Sequence, residues 1–152
     1  MTGARYSDEL ERALARPDAD KMIQQLDAYA EYFASGQGDW PDEFADDFGE
    51  IITCHFDDPE KAFAYVIIGA SRTDEPVFLG QLGCGPLEDV LEDPSPELLE
   101  RIVAEARKSA RFRWLLSHPF KVAIAERAWA AIEQFRITGP HEEPSEETLP
   151  PK

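Results

Sequence analysis

Between Leu82 and Leu91 the chain reads Leu-Gly-Cys-Gly-Pro-Leu-Glu-Asp-Val-Leu, and no other stretch gathers so many residue types capable of chemistry. Three readings suit it. Glycines ahead of a helix can turn backbone N–H groups toward a phosphate. A thiol just before a helix start, here Cys84, can have its pKa lowered into the nucleophilic range. A Gly-Pro pair followed by acids can simply start a helix. The phosphate reading lacks the G-x-x-x-x-G-K-[ST] spacing. It also meets Glu88 and Asp89 in the first helical turn, where carboxylates already favour the positive helix end by roughly 0.3–1 kcal/mol. The same acids oppose a thiolate at Cys84, which has no His or Lys beside it in sequence. The structural reading is therefore preferred. It makes Gly83 or Gly85 the close of one helix, Pro86 the first residue of the next, and Glu88 a capping-box partner of Gly85.

The remaining candidates for chemistry are sparse. The histidines are His55, His118 and His141. Adjacent Cys54 and His55 point to different sides of a helix, and no H-E-x-x-H or C-x-x-C spacing occurs, so neither a metal nor a cofactor is expected. His118 precedes Pro119 at a helix end, where a cation is favoured. No G-x-S-x-G or comparable nucleophile pattern is present, and no catalytic residue is assigned. One constellation stands out. Glu88 and Asp89 lie about twenty residues before Arg107, Arg111 and Arg113, across one helix. The two groups can fold onto each other as a salt-bridge cluster or as an exposed mixed-charge groove for a peptide or partner. Trp114 and Trp129 read as packing residues. Trp40, in the polar run Gly-Gln-Gly-Asp-Trp-Pro-Asp-Glu-Phe, can anchor a loop or a partner.

The elements that position these residues are helical by period. Met22, Ile23, Leu26, Tyr29, Ala30 and Phe33 recur at spacings of three and four after Asp18, a credible cap, with Ser-Gly-Gln-Gly at 35–38 as a stop. A second helix over 42–55 carries Phe44, Phe48, Ile51 and Ile52. A third begins at Asp58-Pro59 and is apolar almost all round, which marks it as the central helix. Shorter helices are expected at 75–82, after Ser95-Pro96 and after Ser109. A last one carries Phe120, Ile124, Ala128, Ala131, Ile132 and Phe135. The expected architecture is all-α. About eight short helices pack as a helical bundle or stacked helical pairs, in one helical domain over 18–137 preceded by an N-terminal helix or arm over 1–17. Residues 138–152, with four Glu and four Pro, are expected to be a disordered acidic tail.

Two segments also carry a resemblance. Gly85-Pro86-Leu87-Glu88-Asp89-Val90-Leu91 is followed by Ala106, then Arg111-Phe112-Arg113, then Leu116. This pattern resembles an uncharacterised bacterial domain family with a G-P-L-E-D-[LV]-L corner and an A-x-x-x-x-R-F-R-x-x-L segment. The likeness covers residues 59–135. It implies an all-α fold and no particular reaction.

Composition bounds the function. With 31 acids against 15 bases, the 152 residues carry a net charge of −16. Residues 1–60 hold 16 acids and 4 bases, whereas residues 101–136 hold 3 acids and 8 bases. So acidic a chain is repelled by nucleic acid and by anionic membrane, and neither is expected as a partner. No apolar run is long enough to span a bilayer and no signal peptide is evident, so a cytoplasmic protein with reduced thiols is expected. The charge suits solubility or a saline cytoplasm, or an acidic face for a basic protein. The preferred reading is a non-enzymatic interaction domain, for instance an immunity or inhibitor protein for a basic bacterial partner. The alternatives are an enzyme with a scattered carboxylate/Arg site and a structural accessory subunit; the sequence does not fix the oligomeric state.

Overall fold

The computed structural model describes residues 8–34 and 49–152, and among them every regular element is helical. The central element is α4, here numbered in chain order after α1 (Asp8–Leu14), α2 (Ala19–Ala34) and α3 (residues 49–53), and itself spanning Pro59–Arg72. Asp58 starts it by accepting the Lys61 N–H at 3.0 Å, and Pro59 takes the first position, where an N–H would lack a partner anyway. Ala62 to Gly69 are all buried. Such an all-round apolar helix is stable only if its neighbours cover it, and α1, α2, the 3₁₀ turn Cys54–Phe56 and α5 (Pro76–Leu82) do so.

Helix α2 buries Met22, Leu26 and Tyr29, with Ile23, Ala30 and Phe33 packed at the margin of the core. Asp18 stands ahead of it, but its carboxylate bonds Arg16 Nε at 3.0 Å and Lys61 Nζ at 3.1 Å. The Arg16 hydrogen bond holds this carboxyl down at about 2. In α3 Ile51 is fully buried while Ile52 faces outward, so the pair does not share the core face expected of it. Phe44, Phe48, the 35–38 stop and Trp40 lie outside the described residues.

After α6 (Glu88–Leu91) come α7 (Pro96–Lys108) and α8 (Ala110–Leu116). Ser95 Oγ accepts from Leu98 N–H at 3.1 Å, and Ser109 Oγ from Phe112 N–H at 3.0 Å. Both serines supply the acceptors that first-turn amides lack. The last helix, α9 (Glu126–Ile132), begins later than its apolar stripe suggests. Phe120 is extended after Pro119, and Lys121–Ala123 form a separate 3₁₀ turn. Ile124, Ala128 and Ile132 nevertheless reach the core. Trp114 and Trp129 are buried, as their packing role requires.

The expectation of a disordered tail is corrected. Residues 138–152 run back along the body. Thr148 Oγ1 accepts the Trp114 indole N–H at 3.0 Å, and the Pro150 carbonyl accepts from Arg111 Nε at 2.9 Å. Pro144 is buried and Leu149 packs against the core. Proline is the physical reason composition misled: its fixed φ lowers the entropy lost when such a segment docks. The N-terminal helix also lies on the body. Ala13 is buried, and the Glu9 carboxylate receives both Arg101 Nε (2.9 Å) and Nη2 (2.6 Å) from α7.

Candidate functional site

The Gly-Cys-Gly-Pro run is not a corner between two helices. Residues 76–91 form one continuous helical path, α5 into α6, with a π turn at Gly83–Leu87. The Glu88 N–H reaches the Gly83 carbonyl, five residues back, and the Gly85 carbonyl. Pro86 explains the turn. It has no N–H, and in a regular helix its ring would press on the carbonyl four residues earlier; the wider turn accommodates it. Gly85 therefore caps nothing, and its φ is not in the left-handed region. Gly83 has a different reason to be glycine. A Cβ there would lie 2.6 Å from the Leu115 carbonyl oxygen and 2.8 Å from His118 Cβ. The α5–α8 crossing is close because Gly83 has no side chain.

The turn brings an acidic group to the surface. Glu88 and Asp89 are half-buried, while Glu92 beyond them and Glu143 on the returning tail are exposed. Glu88 Oε2 accepts the Phe120 N–H at 3.1 Å, which ties α6 to the turn after Pro119. Burial pushes the Glu88 carboxyl above its usual 4.5. The Phe120 amide opposes this, and the charges of Asp89, Glu92 and Glu143 add to the rise. Asp89 is also held above its usual 3.8, by burial, with His55 pulling the other way and Glu92 adding to the rise. His55 Nδ1 stands 3.4 Å from Asp89 Oδ2 and 3.0 Å from the Ile52 carbonyl, and its ring lies against Phe56, which is 78% exposed.

A carboxyl with a raised pKa binds its proton more tightly in the folded chain than in the unfolded one. Its ionisation therefore weakens the fold at neutral pH, and that cost disappears as pH falls below the usual 4.5. Glu88→Gln keeps an acceptor for Phe120 N–H and removes the charge. Thermal melts should put it roughly 1–3 °C above wild type near pH 7, with the gap closing below that value. Glu88→Ala, which orphans the amide, should lose about 1–2 kcal/mol.

Cys84 sits beside Glu88 and Glu143, which disfavour its thiolate. Burial, then Glu143 and Glu88, raise its thiol to about 11; burial raises Cys54 to about 12. Thiolate is scarce in both at neutral pH. A thiol probe should therefore label native Cys84 at least about tenfold more slowly than a small free thiol.

The basic half of the expected cluster is elsewhere. The Arg111 guanidinium is buried, donating to the carbonyls of Ala70 (3.1 Å), Thr73 (2.7 Å) and Pro150, and to the Asp74 carboxylate. Arg113 Nη1 donates to the Ala106 carbonyl at 2.8 Å, and Arg107 stands over the Phe135 ring at 6.0 Å. Glu88 and Asp89 thus take partners other than the three arginines.

One group that sequence reasoning misassigned is His118. Instead of the cation favoured at a helix end, it is a buried ring with its pKa lowered by desolvation. Its Nδ1 lies 3.0 Å from the Trp114 carbonyl and its ring 4.4 Å from the Trp114 ring. It borders a cleft of about 170 Å³ between α5, α8 and the tail, with Gly80, Gln81, Glu143 and Glu146 also on its wall. A second cleft, of about 180 Å³, lies between α1 and α4 and is closed at one end by the Glu9–Arg101–Glu60 bridge. Both are below the roughly 300–1,000 Å³ typical of sites for drug-sized ligands. No group of three His, Cys, Asp or Glu side chains among the described residues is placed to hold a metal ion.

The arrangement of helices and the two marker segments now meet the comparison with known families. Residues 39–139 match the model of a family of unknown function, DUF6869. The chain belongs to DUF6869. The match takes in the π turn, α7, α8 and His118, and encloses the 59–135 stretch that carried the resemblance. The tail carboxylates Glu142, Glu143, Glu146 and Glu147 lie just beyond this DUF6869 region. No curated protein and no solved structure matches the chain.

Proposed function

We propose that this DUF6869 protein is a non-enzymatic interaction domain that docks a basic protein partner through its acidic face, as an inhibitor or immunity protein does. One observation carries the reading. Most of the described cations are held within the chain, whereas a group of surface carboxylates is not. Arg16, Lys61, Arg72, Arg101, Arg111 and Arg127 are paired with acids of this same chain, and Arg113 and Arg136 are bound to backbone carbonyls. Glu92, Glu142, Glu143, Glu146 and Glu147 are exposed and have no ion-pair partner among the described residues. A surface of this kind accelerates encounter with a positive partner and repels nucleic acid and anionic membrane. The shallowness of both clefts supports docking over turnover of a sizeable substrate. Among the described residues, no helix is long and apolar enough to cross a membrane.

The test is cross-linked capture in cells, repeated with the variant Glu92→Lys/Glu142→Lys/Glu143→Lys, whose side chains make no bonds among the described residues. A protein with a basic surface, captured by wild type and lost by the variant, is the expected result. Equal capture by both, or capture of an acidic protein, contradicts the reading.

A further inference from the structure

Resting on that reading, we infer that the cleft between α5, α8 and the tail is a receptor for a single guanidinium or primary ammonium group, presented by the partner as an arginine or lysine side chain. The argument begins with His118. It is 5% exposed, and its Nδ1 faces the Trp114 carbonyl. A carbonyl only accepts, so Nδ1 carries the proton and the neutral ring leaves Nε2 with a bare lone pair. Among the described residues Nε2 makes no hydrogen bond, and His118 borders the cleft. An acceptor on a largely buried ring beside a cleft suits a donor supplied from outside.

Gly80 keeps that edge of the ring open. It lies inside α5, where glycine weakens a helix relative to alanine. A Cβ at this position would stand 3.1 Å from His118 Nε2 and 3.2 Å from its Cδ2, crowding that edge of the ring. The rest of the wall selects the sign of the occupant. Glu143 and Glu146 supply carboxylates, Gln81 an amide, and none of the described residues lining the cleft is a lysine or arginine. Arg136, which is not among the lining residues, is bound to the carbonyls of Leu116, Pro119 and Gly139. Trp114, buried against the His118 ring, also borders the cleft. The occupant must be compact, since the space is about 170 Å³. Among the described residues these side chains do not form a metal-ligand set. A planar, donor-rich guanidinium meets every requirement, and an ammonium meets most of them.

The experiment is an NMR titration of His118 Nε2 in the full-length protein with methylguanidinium, with acetate as the control. Wild type should show a saturable shift with a dissociation constant on the order of 1 mM. Gly80→Ala should abolish the shift. Glu143→Gln/Glu146→Gln, which alters only exposed side chains, should weaken binding about tenfold while the melting temperature stays put. No saturation in wild type up to about 100 mM, an equal shift in Gly80→Ala, or a shift with acetate overturns the inference. A second arm separates the sources of the cation. If the basic partner binds Gly80→Ala as well as wild type, the cleft receives no side chain from it, while the docking reading stands. If methylguanidinium binds but charge reversal of the acidic face costs no partner, the docking reading falls and the cleft serves a free small cation.

Discussion

Deleting residues 139–152 is expected to destabilise the protein by roughly 3–5 kcal/mol and to lower its melting temperature by about 10 °C or more. Trp114 and Arg111 are 1% and 5% exposed, and the tail supplies an acceptor to each: Thr148 Oγ1 and the Pro150 carbonyl. Truncation leaves a buried indole N–H without its partner and strips one bond from a buried guanidinium, while Pro144 and Leu149 withdraw their apolar cover. It also removes the Pro140 carbonyl from Lys121 N–H and the Gly139 carbonyl from Arg136 Nη2. Thermal denaturation of the shortened chain checks this; a melt indistinguishable from full length would mean that the tail does not dock.

Gly83→Ala should cost about 2–4 kcal/mol, whereas Gly85→Ala should be neutral or slightly stabilising. The two glycines sit in the same π turn, two residues apart. At Gly83 the added methyl meets a backbone carbonyl oxygen at 2.6 Å, and backbone cannot swing aside as a flexible side chain can. Relief requires α5 and α8 to separate, which opens the Leu79–Leu82–Leu115 part of the core. At Gly85 nothing lies within 4 Å of the new atom, and alanine lowers the entropy lost on folding. Paired urea melts measure the contrast. Equal destabilisation by both would show that the turn itself, rather than the α5–α8 approach, demands glycine.

What the sequence made legible follows from how local each device is. The caps at Asp58, Ser95 and Ser109 act within three residues, so the local pattern identifies them directly. The central burial of α4 was equally plain from a run with no polar face. The π turn was not, because Gly-Pro reads as a helix start wherever a helix has just ended, and only the bond from Glu88 to Gly83 distinguishes the two. Arg111 illustrates a second limit. Its charge suggested a carboxylate partner nearby in the pattern. Three of its acceptors are backbone carbonyls, which leave no mark in side-chain identity. The tail misled through composition, since four prolines indicate either disorder or a segment that docks at low entropic cost. The signal that would have found the His118 cleft is Gly80 and Gly83, three apart on one helical face, with a histidine opposite.

The central claim is that uncompensated carboxylates on the acidic face recruit a basic protein. Its most direct measurement is the association rate constant with the captured partner as ionic strength rises from about 20 to about 200 mM. The account predicts that the wild-type rate falls at least about tenfold over that range. It also predicts that Glu92→Lys/Glu142→Lys/Glu143→Lys starts slow and is flat in salt. A wild-type rate that does not respond to salt, or a charge-reversed variant with the same slope as wild type, would contradict it.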